Sequence, residues 1–134
     1  MLDPQCEAIL ERVAEWPEPA EITAEVARDQ EDRRLREFGG VGPTVAEVRT
    51  ISIPTTHGSV SGVVYVPTDD PAPGVLVWIH GGGWTVGSPH HCDDVLRSLK
   101  RESGCTIVSV DYALAPESRV PVADEQSYDV QTWV

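Results

Sequence analysis

The chain has 134 residues, a formal net charge of −12, 40% hydrophobic and 24% charged residues, and eleven each of glycine and proline. That length and mixture fit one globular domain and exclude disordered, collagen-like and coiled-coil compositions. Acidic residues outnumber basic ones eleven to five in residues 1–37 and again in residues 38–134, so neither part would attract a nucleic-acid backbone or an anionic membrane.

No apolar run approaches the roughly 20 residues of a membrane-spanning helix. Met1-Leu2-Asp3-Pro4-Gln5 has neither the basic region nor the apolar stretch of a secretory signal. Cys6, Cys92 and Cys105 are odd in number and unpatterned, which suits reduced thiols in a cytoplasmic protein.

Residues 3–16 are expected to form a short amphipathic helix. Asp3 can cap it, Pro4 suits its first position, and Cys6, Ile9, Leu10 and Val13 share one face. Trp16-Pro17-Glu18-Pro19 should stop it, because a residue before proline is pushed out of the helical region. A second helix is expected over 20–38, with Ile22, Val26, Leu35 and Phe38 left to bury and Gly39-Gly40 at its end. Its run Arg28-Asp29-Gln30-Glu31-Asp32-Arg33-Arg34 reads as a solvated face.

From Val45 the period becomes two. Val45, Glu47, Arg49, Ile51 and Ile53 point one way, His57-Gly58 signals a turn, and Val60–Val66 alternates again. Residues 45–67 therefore resemble an antiparallel hairpin. A loop is expected over 67–73. Val75–Ile79 is a continuous apolar run, as in a strand covered on both faces. Residues 90–103 predict a helix with Asp93 and Asp94 at its positive end, Lys100 and Arg101 at its negative end, and Gly104 beyond. Cys105–Val110 predicts a second buried strand, parallel to the first because a helix connects them. Residues 122–134 begin another helix. The expected fold class is α/β: an antiparallel hairpin plus a parallel βαβ unit, an unfinished layer with an open sheet edge.

The segment with most chemical content is Val77-Trp78-Ile79-His80-Gly81-Gly82-Gly83-Trp84. A strand runs into three glycines, whose free φ lets successive N–H groups turn toward one point and hold an oxyanion. A bare glycine triplet equally suits a tight loop that needs small residues. A phosphate cradle is excluded by spacing, since no G-x-x-x-x-G-K-[ST] occurs and Trp84 stands where G-x-G-x-x-G would need glycine.

His80-Gly81-Gly82-Gly83-Trp84, followed by Asp111-Tyr112-Ala113-Leu114-Ala115-Pro116-Glu117, resembles the hormone-sensitive-lipase-like branch of the α/β-hydrolases. The resemblance runs from the hairpin through the helix near Val122. It implies two parts: N-terminal cap helices over 1–40, and the N-terminal part of the hydrolase domain over 41–134. Ala113 departs from the usual Arg, and Ser118-Arg119-Val120 from a more common His-Pro-Phe. Enzymes of this branch split carboxylic esters by acyl transfer without cofactor or metal. The resemblance implies that the Gly82 and Gly83 N–H groups are oxyanion donors and that Gly81 permits the turn. It also implies that His80 braces the loop and that Trp84 lines the pocket or packs the loop. Asp111, which follows a buried strand, is expected to hold the glycines by accepting backbone hydrogen bonds.

The nucleophile elbow of such enzymes needs G-x-S-x-G, and no serine here has glycine at both second-neighbour positions. Gly58-Ser59-Val60-Ser61-Gly62 is a decoy centred on Val60. The resemblance puts the serine on the strand after the helix near Val122, and the Asp and His later still. The expectation is therefore an N-terminal fragment that holds the oxyanion half of an ester hydrolase but no nucleophile or base, and is inactive alone. The alternative is a non-catalytic small-molecule-binding or interaction protein, completed by a separate C-terminal chain or by self-association. His90-His91-Cys92-Asp93-Asp94 is expected to be a polar helix entry, because adjacent residues on a helix diverge by about 100° and cannot share an ion. His57 is expected to be a turn residue and Cys105 an inert thiol.

Overall fold

Asp3 caps the first helix: its carboxylate accepts from the Gln5 N–H at 2.8 Å, with Pro4 at the first helical position. The computed structural model describes residues 2–17, 22–66 and 74–134. The expected stop at Glu18-Pro19 and loop at 67–73 lie outside the described residues. Helix α1 covers Pro4–Val13 and α2 covers Ala24–Phe38. Thr23 caps α2 through the Val26 N–H, and the Gly39 N–H closes it on the Leu35 carbonyl at 2.8 Å. The apolar face of α1 is uncovered, with Cys6, Ile9 and Leu10 exposed and Val13 half-buried. In α2, Leu35 and Phe38 are half-buried as expected, as is Ile22 just ahead of its cap, whereas Val26 is exposed.

The hairpin forms from β1, Glu47–Thr55, and β2, Gly58–Val66, in register Thr55 to Gly58. Thr56 and His57 span the turn, and Gly58 follows at φ +89°, a left-handed conformation that glycine adopts without strain. Then come β3, Val75–Ile79, a 3-10 turn at Pro89–Cys92, α3 at Asp93–Ser103, β4 at Thr106–Asp111 and α4 at Val122–Trp133. Asp93 and Asp94 occupy the first turn of α3, Lys100 and Arg101 its last, and Gly104 ends it at φ +70°. The strand order is β1-β2-β4-β3, antiparallel except for the parallel β3–β4 pair. This small mixed sheet with its flanking helices is the expected α/β layer, an antiparallel hairpin joined to a parallel βαβ unit.

The two-residue period divides the core between the faces of the sheet. Ile53, Val60, Val64, Val108, Val110 and Tyr112 pack with Val130 of α4. Tyr65 and Ile107, one residue out of phase, pack with Leu96 of α3. Val45 lies ahead of β1 and joins the second cluster, not the Ile53 face expected for it. A larger correction concerns β3. Its middle is covered on both faces as expected, with Val77 packed on the first cluster and Leu76 and Trp78 on the second, but its ends are open, Val75 45% and Ile79 50% exposed. It is an edge strand, with no strand beyond it among the described residues.

Candidate active site

At the end of β3 the chain passes from the sheet into the glycine loop. Gly82 sits at φ +135°, Gly83 at +57° and Trp84 at +58°. A Cβ on Gly82 would lie 1.9 Å from the Val86 carbonyl oxygen, so the close approach there requires glycine, whereas Gly83 has open space. The Gly82 carbonyl accepts from the Thr85 and Val86 N–H groups at 3.1 and 3.0 Å, and the Trp84 carbonyl from the Ala115 N–H at 2.7 Å. The loop's carbonyls are thus tied into the protein. Among the described residues, neither the Gly82 nor the Gly83 N–H donates to a protein acceptor. These glycines line a cleft of about 380 Å³ together with His80, Trp84, Tyr112 and Tyr128.

His80 is buried under the loop. Its Nδ1–H donates to the Gly81 carbonyl at 2.9 Å, and its ring stacks on Tyr112 at 4.2 Å between centroids. Tyr112 donates its hydroxyl to the His80 carbonyl at 2.7 Å. Burial pushes the His80 pKa down from the usual 6.5, although the Gly81 carbonyl and the Asp111 charge oppose the shift. A neutral ring that donates from Nδ1 is a fixed strut, and Nε2 remains without a partner among the described residues. Gly87 presses on it from outside, since a Cβ there would meet Nδ1 at 2.6 Å and the Gly81 carbonyl at 2.5 Å.

Asp111 does not do what the sequence suggested. It is exposed and accepts no backbone hydrogen bond from the glycines among the described residues. The tether is its neighbour Tyr112, and strand parity explains the exchange: Val108, Val110 and Tyr112 face the α4 core, so Asp111 faces away. Trp84 lines the cleft, 54% exposed, with its indole N–H donating to Asp124 of α4 at 3.1 Å.

The charged run of α2 is not uniformly solvated. Arg28 donates from Nε to the Thr85 carbonyl at 3.0 Å and from Nη2 to the Ala115 carbonyl at 2.9 Å. It also makes a bidentate pair with Glu117 at 2.8 and 2.7 Å. This pairing raises the Arg28 pKa and holds the Glu117 carboxyl down at about 2.

One turn further on, Asp32 accepts from His91 Nε2 at 3.1 Å, and His91 Nδ1 lies 2.8 Å from the Ser88 hydroxyl. Sequence reasoning missed this serine–histidine–aspartate string, although Ser88 and His91 are three apart across one turn, a spacing that lets side chains meet. Ser88 and His91 line a second cavity of about 360 Å³ between α2 and the loop, which shares His80, Gly81 and Gly82 with the first. Pro89 has no N–H, and that of His91 donates to the Ser88 carbonyl at 3.2 Å. The other members of the histidine-rich entry diverge. His90 is exposed, while Asp93 accepts from the Tyr65 hydroxyl at 2.9 Å and from Arg97 at 2.6 Å. His57 sits in the hairpin turn against Glu125 of α4. Cys105 lies just ahead of β4, its thiol 3.9 Å from the Ser103 carbonyl.

Residues 76–134 match the family model for the alpha/beta hydrolase fold. An acetyl esterase of Salmonella schwarzengrund is 32% identical over 117 residues, covering 87% of this chain and 36% of that enzyme. Two solved structures share the architecture. A hyperthermophilic esterase of the archaeon Pyrobaculum calidifontis superposes with a TM-score of 0.91 at 35% identity, over 99% of this chain and 43% of that one. A thermostable carboxylesterase cloned from a metagenomic library gives 0.79 at 34%, over 87% and 40%. In fold, then, the chain is part of an α/β-hydrolase. Within that class the chain is similar to these esterases, in keeping with its resemblance to the hormone-sensitive-lipase-like branch, and it spans well under half the length of these relatives. No helix among the described residues is long and apolar enough to cross a membrane.

Proposed function

We propose that this chain supplies the oxyanion-binding part of a cytoplasmic carboxylic ester hydrolase. The carrying observation is that Gly82 and Gly83 line the cleft while, among the described residues, neither N–H donates to a protein acceptor and the carbonyls of Gly82 and Trp84 are engaged elsewhere. In acyl transfer, charge develops on the substrate carbonyl oxygen as a nucleophile attacks, and two preoriented amides stabilise it; loss of one such donor costs about 3–4 kcal/mol in the transition state. Gly81 leads into the turn, His80 is the neutral strut beneath it, and Trp84 forms one wall for the ester's organic part. Helices α1 and α2, within residues 1–40, are the start of a cap, and residues 41–134 contribute the hydrolase domain's first strands. The three free thiols fit a reducing compartment. No cofactor or metal enters the scheme.

No serine here stands in G-x-S-x-G, so this chain alone is expected to show no serine-dependent turnover. Ser127, the buried serine of the cleft, directs its hydroxyl to the Ala123 carbonyl at 2.7 Å. Two measurements test the reading. Titration with butylphosphonate, a tetrahedral oxyanion, should shift the Gly82 and Gly83 amide resonances saturably. Stoichiometric fluorophosphonate labelling that disappears on denaturation, whether mapped to Ser88 or elsewhere, would refute the absence of a nucleophile.

A second reading is favoured by exposed apolar side chains at the cleft: Ile79 on the free edge of β3 and Tyr128 on α4. On this reading the chain is a non-catalytic binding or interaction protein, closed by a separate C-terminal chain or by a second copy. Co-purification with a chain that bears G-x-S-x-G restores the hydrolase; a stable homo-oligomer that binds esters unchanged supports the alternative.

A further inference from the structure

Arg28 joins α2, the glycine loop and the Ala115–Glu117 turn. Its guanidinium makes four hydrogen bonds, to partners 57, 87 and 89 residues away in sequence. Two of the acceptors flank one joint. Thr85 follows Trp84, and the Trp84 carbonyl accepts from the Ala115 N–H. Arg28 therefore grips the carbonyl of Thr85 on one side of that joint and the carbonyl of Ala115 on the other. Asp32 lies four residues on, along the same side of α2, and adds a second tie through His91 to Ser88 at the far end of the loop.

We propose that Arg28 is a positioning residue for the oxyanion loop, so that the docking of α2 sets the direction of the Gly82 and Gly83 amides. The inference rests on the oxyanion reading for its consequence, but the coupling itself is a property of the free chain. Left-handed backbone at Gly82, Gly83 and Trp84 is held from outside. His80 and Tyr112 fix the loop's beginning, and Arg28 fixes its end at Thr85. A planar guanidinium suits this place, because its forked donors engage two carbonyls and a carboxylate at once; a lysine ammonium offers one point charge. When α2 leaves, the Thr85 and Ala115 carbonyls lose their charged donor and the Trp84–Ala115 joint loosens. A cap helix thereby acts on the oxyanion donors without touching substrate.

The test compares the 134-residue chain with Arg28→Ala, Arg28→Lys and, as control, Arg12→Ala, which removes the Arg12–Glu37 pair at the other end of α2. The readouts are the Gly82 and Gly83 amide shifts and the hydrogen exchange of the bonded Thr85, Val86 and Ala115 amides. Arg28→Ala is expected to move both glycine resonances and speed exchange of those three amides about 10- to 100-fold, while Val64 and Val108 amides in the sheet stay protected. Arg28→Lys should restore less than half of the effect, and Arg12→Ala should leave the loop unchanged. Unaltered glycine shifts and loop exchange in Arg28→Ala overturn the proposal. If that variant fails to fold, full retention of the loop signals in Arg28→Lys overturns it equally. Butylphosphonate titration separates the two readings: coupling without phosphonate binding retains the positioning role and rejects the oxyanion assignment.

Discussion

The rings of His80 and Tyr112 stack 12° from parallel at 4.2 Å, and the tyrosine hydroxyl reaches over to the histidine's own carbonyl at 2.7 Å. One residue thus supports the other's ring and satisfies its backbone. Both are buried, so water cannot replace the hydrogen bond. Tyr112→Phe keeps the stacking and orphans the His80 carbonyl. It should cost about 1–3 kcal/mol in urea unfolding and loosen the Gly82–Val86 turn in hydrogen exchange. A variant as stable as the parent would mean that another donor reaches that carbonyl.

The two glycines separate space from conformation. Gly83→Ala puts a methyl into open space at φ +57°, a left-handed position that costs an L-residue roughly 1–2 kcal/mol. Gly82→Ala adds a Cβ 1.9 Å from a backbone oxygen at φ +135°, where no side chain can give way. The loop has to rebuild, at a cost of about 3 kcal/mol or more. Phosphonate shifts at residue 83 should disappear in Gly82→Ala and persist, weakened, in Gly83→Ala. Equal behaviour of the two would refute the close contact between Gly82 and Val86.

Glu117 gives the docking of α2 a pH dependence. Its hydrogen bonds to Arg28 hold the carboxyl at about 2, below the ordinary 4.5. A depressed carboxyl contributes stability that is complete above pH 4.5 and is lost as pH falls through about 2. His80 acts with the same sign higher up. Because burial lowers its pKa, its contribution begins to fall as pH drops below 6.5. The difference in urea midpoint between the parent and Glu117→Gln should therefore be constant from pH 7 to 5 and shrink from pH 4.5 downward. A difference that ignores pH would show that the carboxylate charge plays no part.

What could be read from the chain was local. The capped helices, the hairpin and the strand–glycine loop each depend on residues within about ten positions, and motif and period reveal them. Arg28 was hidden because its partners are remote: inside a run of seven mostly charged residues it has no mark to set it apart from Arg33 or Arg34. Those two instead lay their guanidinium groups over Trp16, 4.6 and 5.7 Å from the ring centroid. Tyr112 could have been preferred over Asp111 by continuing the parity of Val108 and Val110 one step past the strand. The open edge of β3 had no signal, since which strand ends a sheet depends on the order in which the strands pair.

That edge carries the last prediction. Val75–Ile79 pairs with β4 on one side, and on the other its N–H and C=O groups meet no strand among the described residues. The segment is Val-Leu-Val-Trp-Ile, without charge or proline, and both its ends are exposed. Such an edge templates pairing with another strand, and natural proteins commonly blunt it with lysine. The chain at micromolar concentration should therefore self-associate, seen as a concentration-dependent mass in light scattering. Val75→Lys places a charge on that edge at the end remote from the glycine loop. It should leave stability within about 0.5 kcal/mol, as for an ordinary surface substitution, and bring the mass down to 14.6 kDa. Phosphonate binding should be unchanged, because Val75 does not line the cleft. If Val75→Lys associates as the parent does, the contact lies elsewhere, and the exposed face of α1 with Ile9 and Leu10 becomes the surface to charge next.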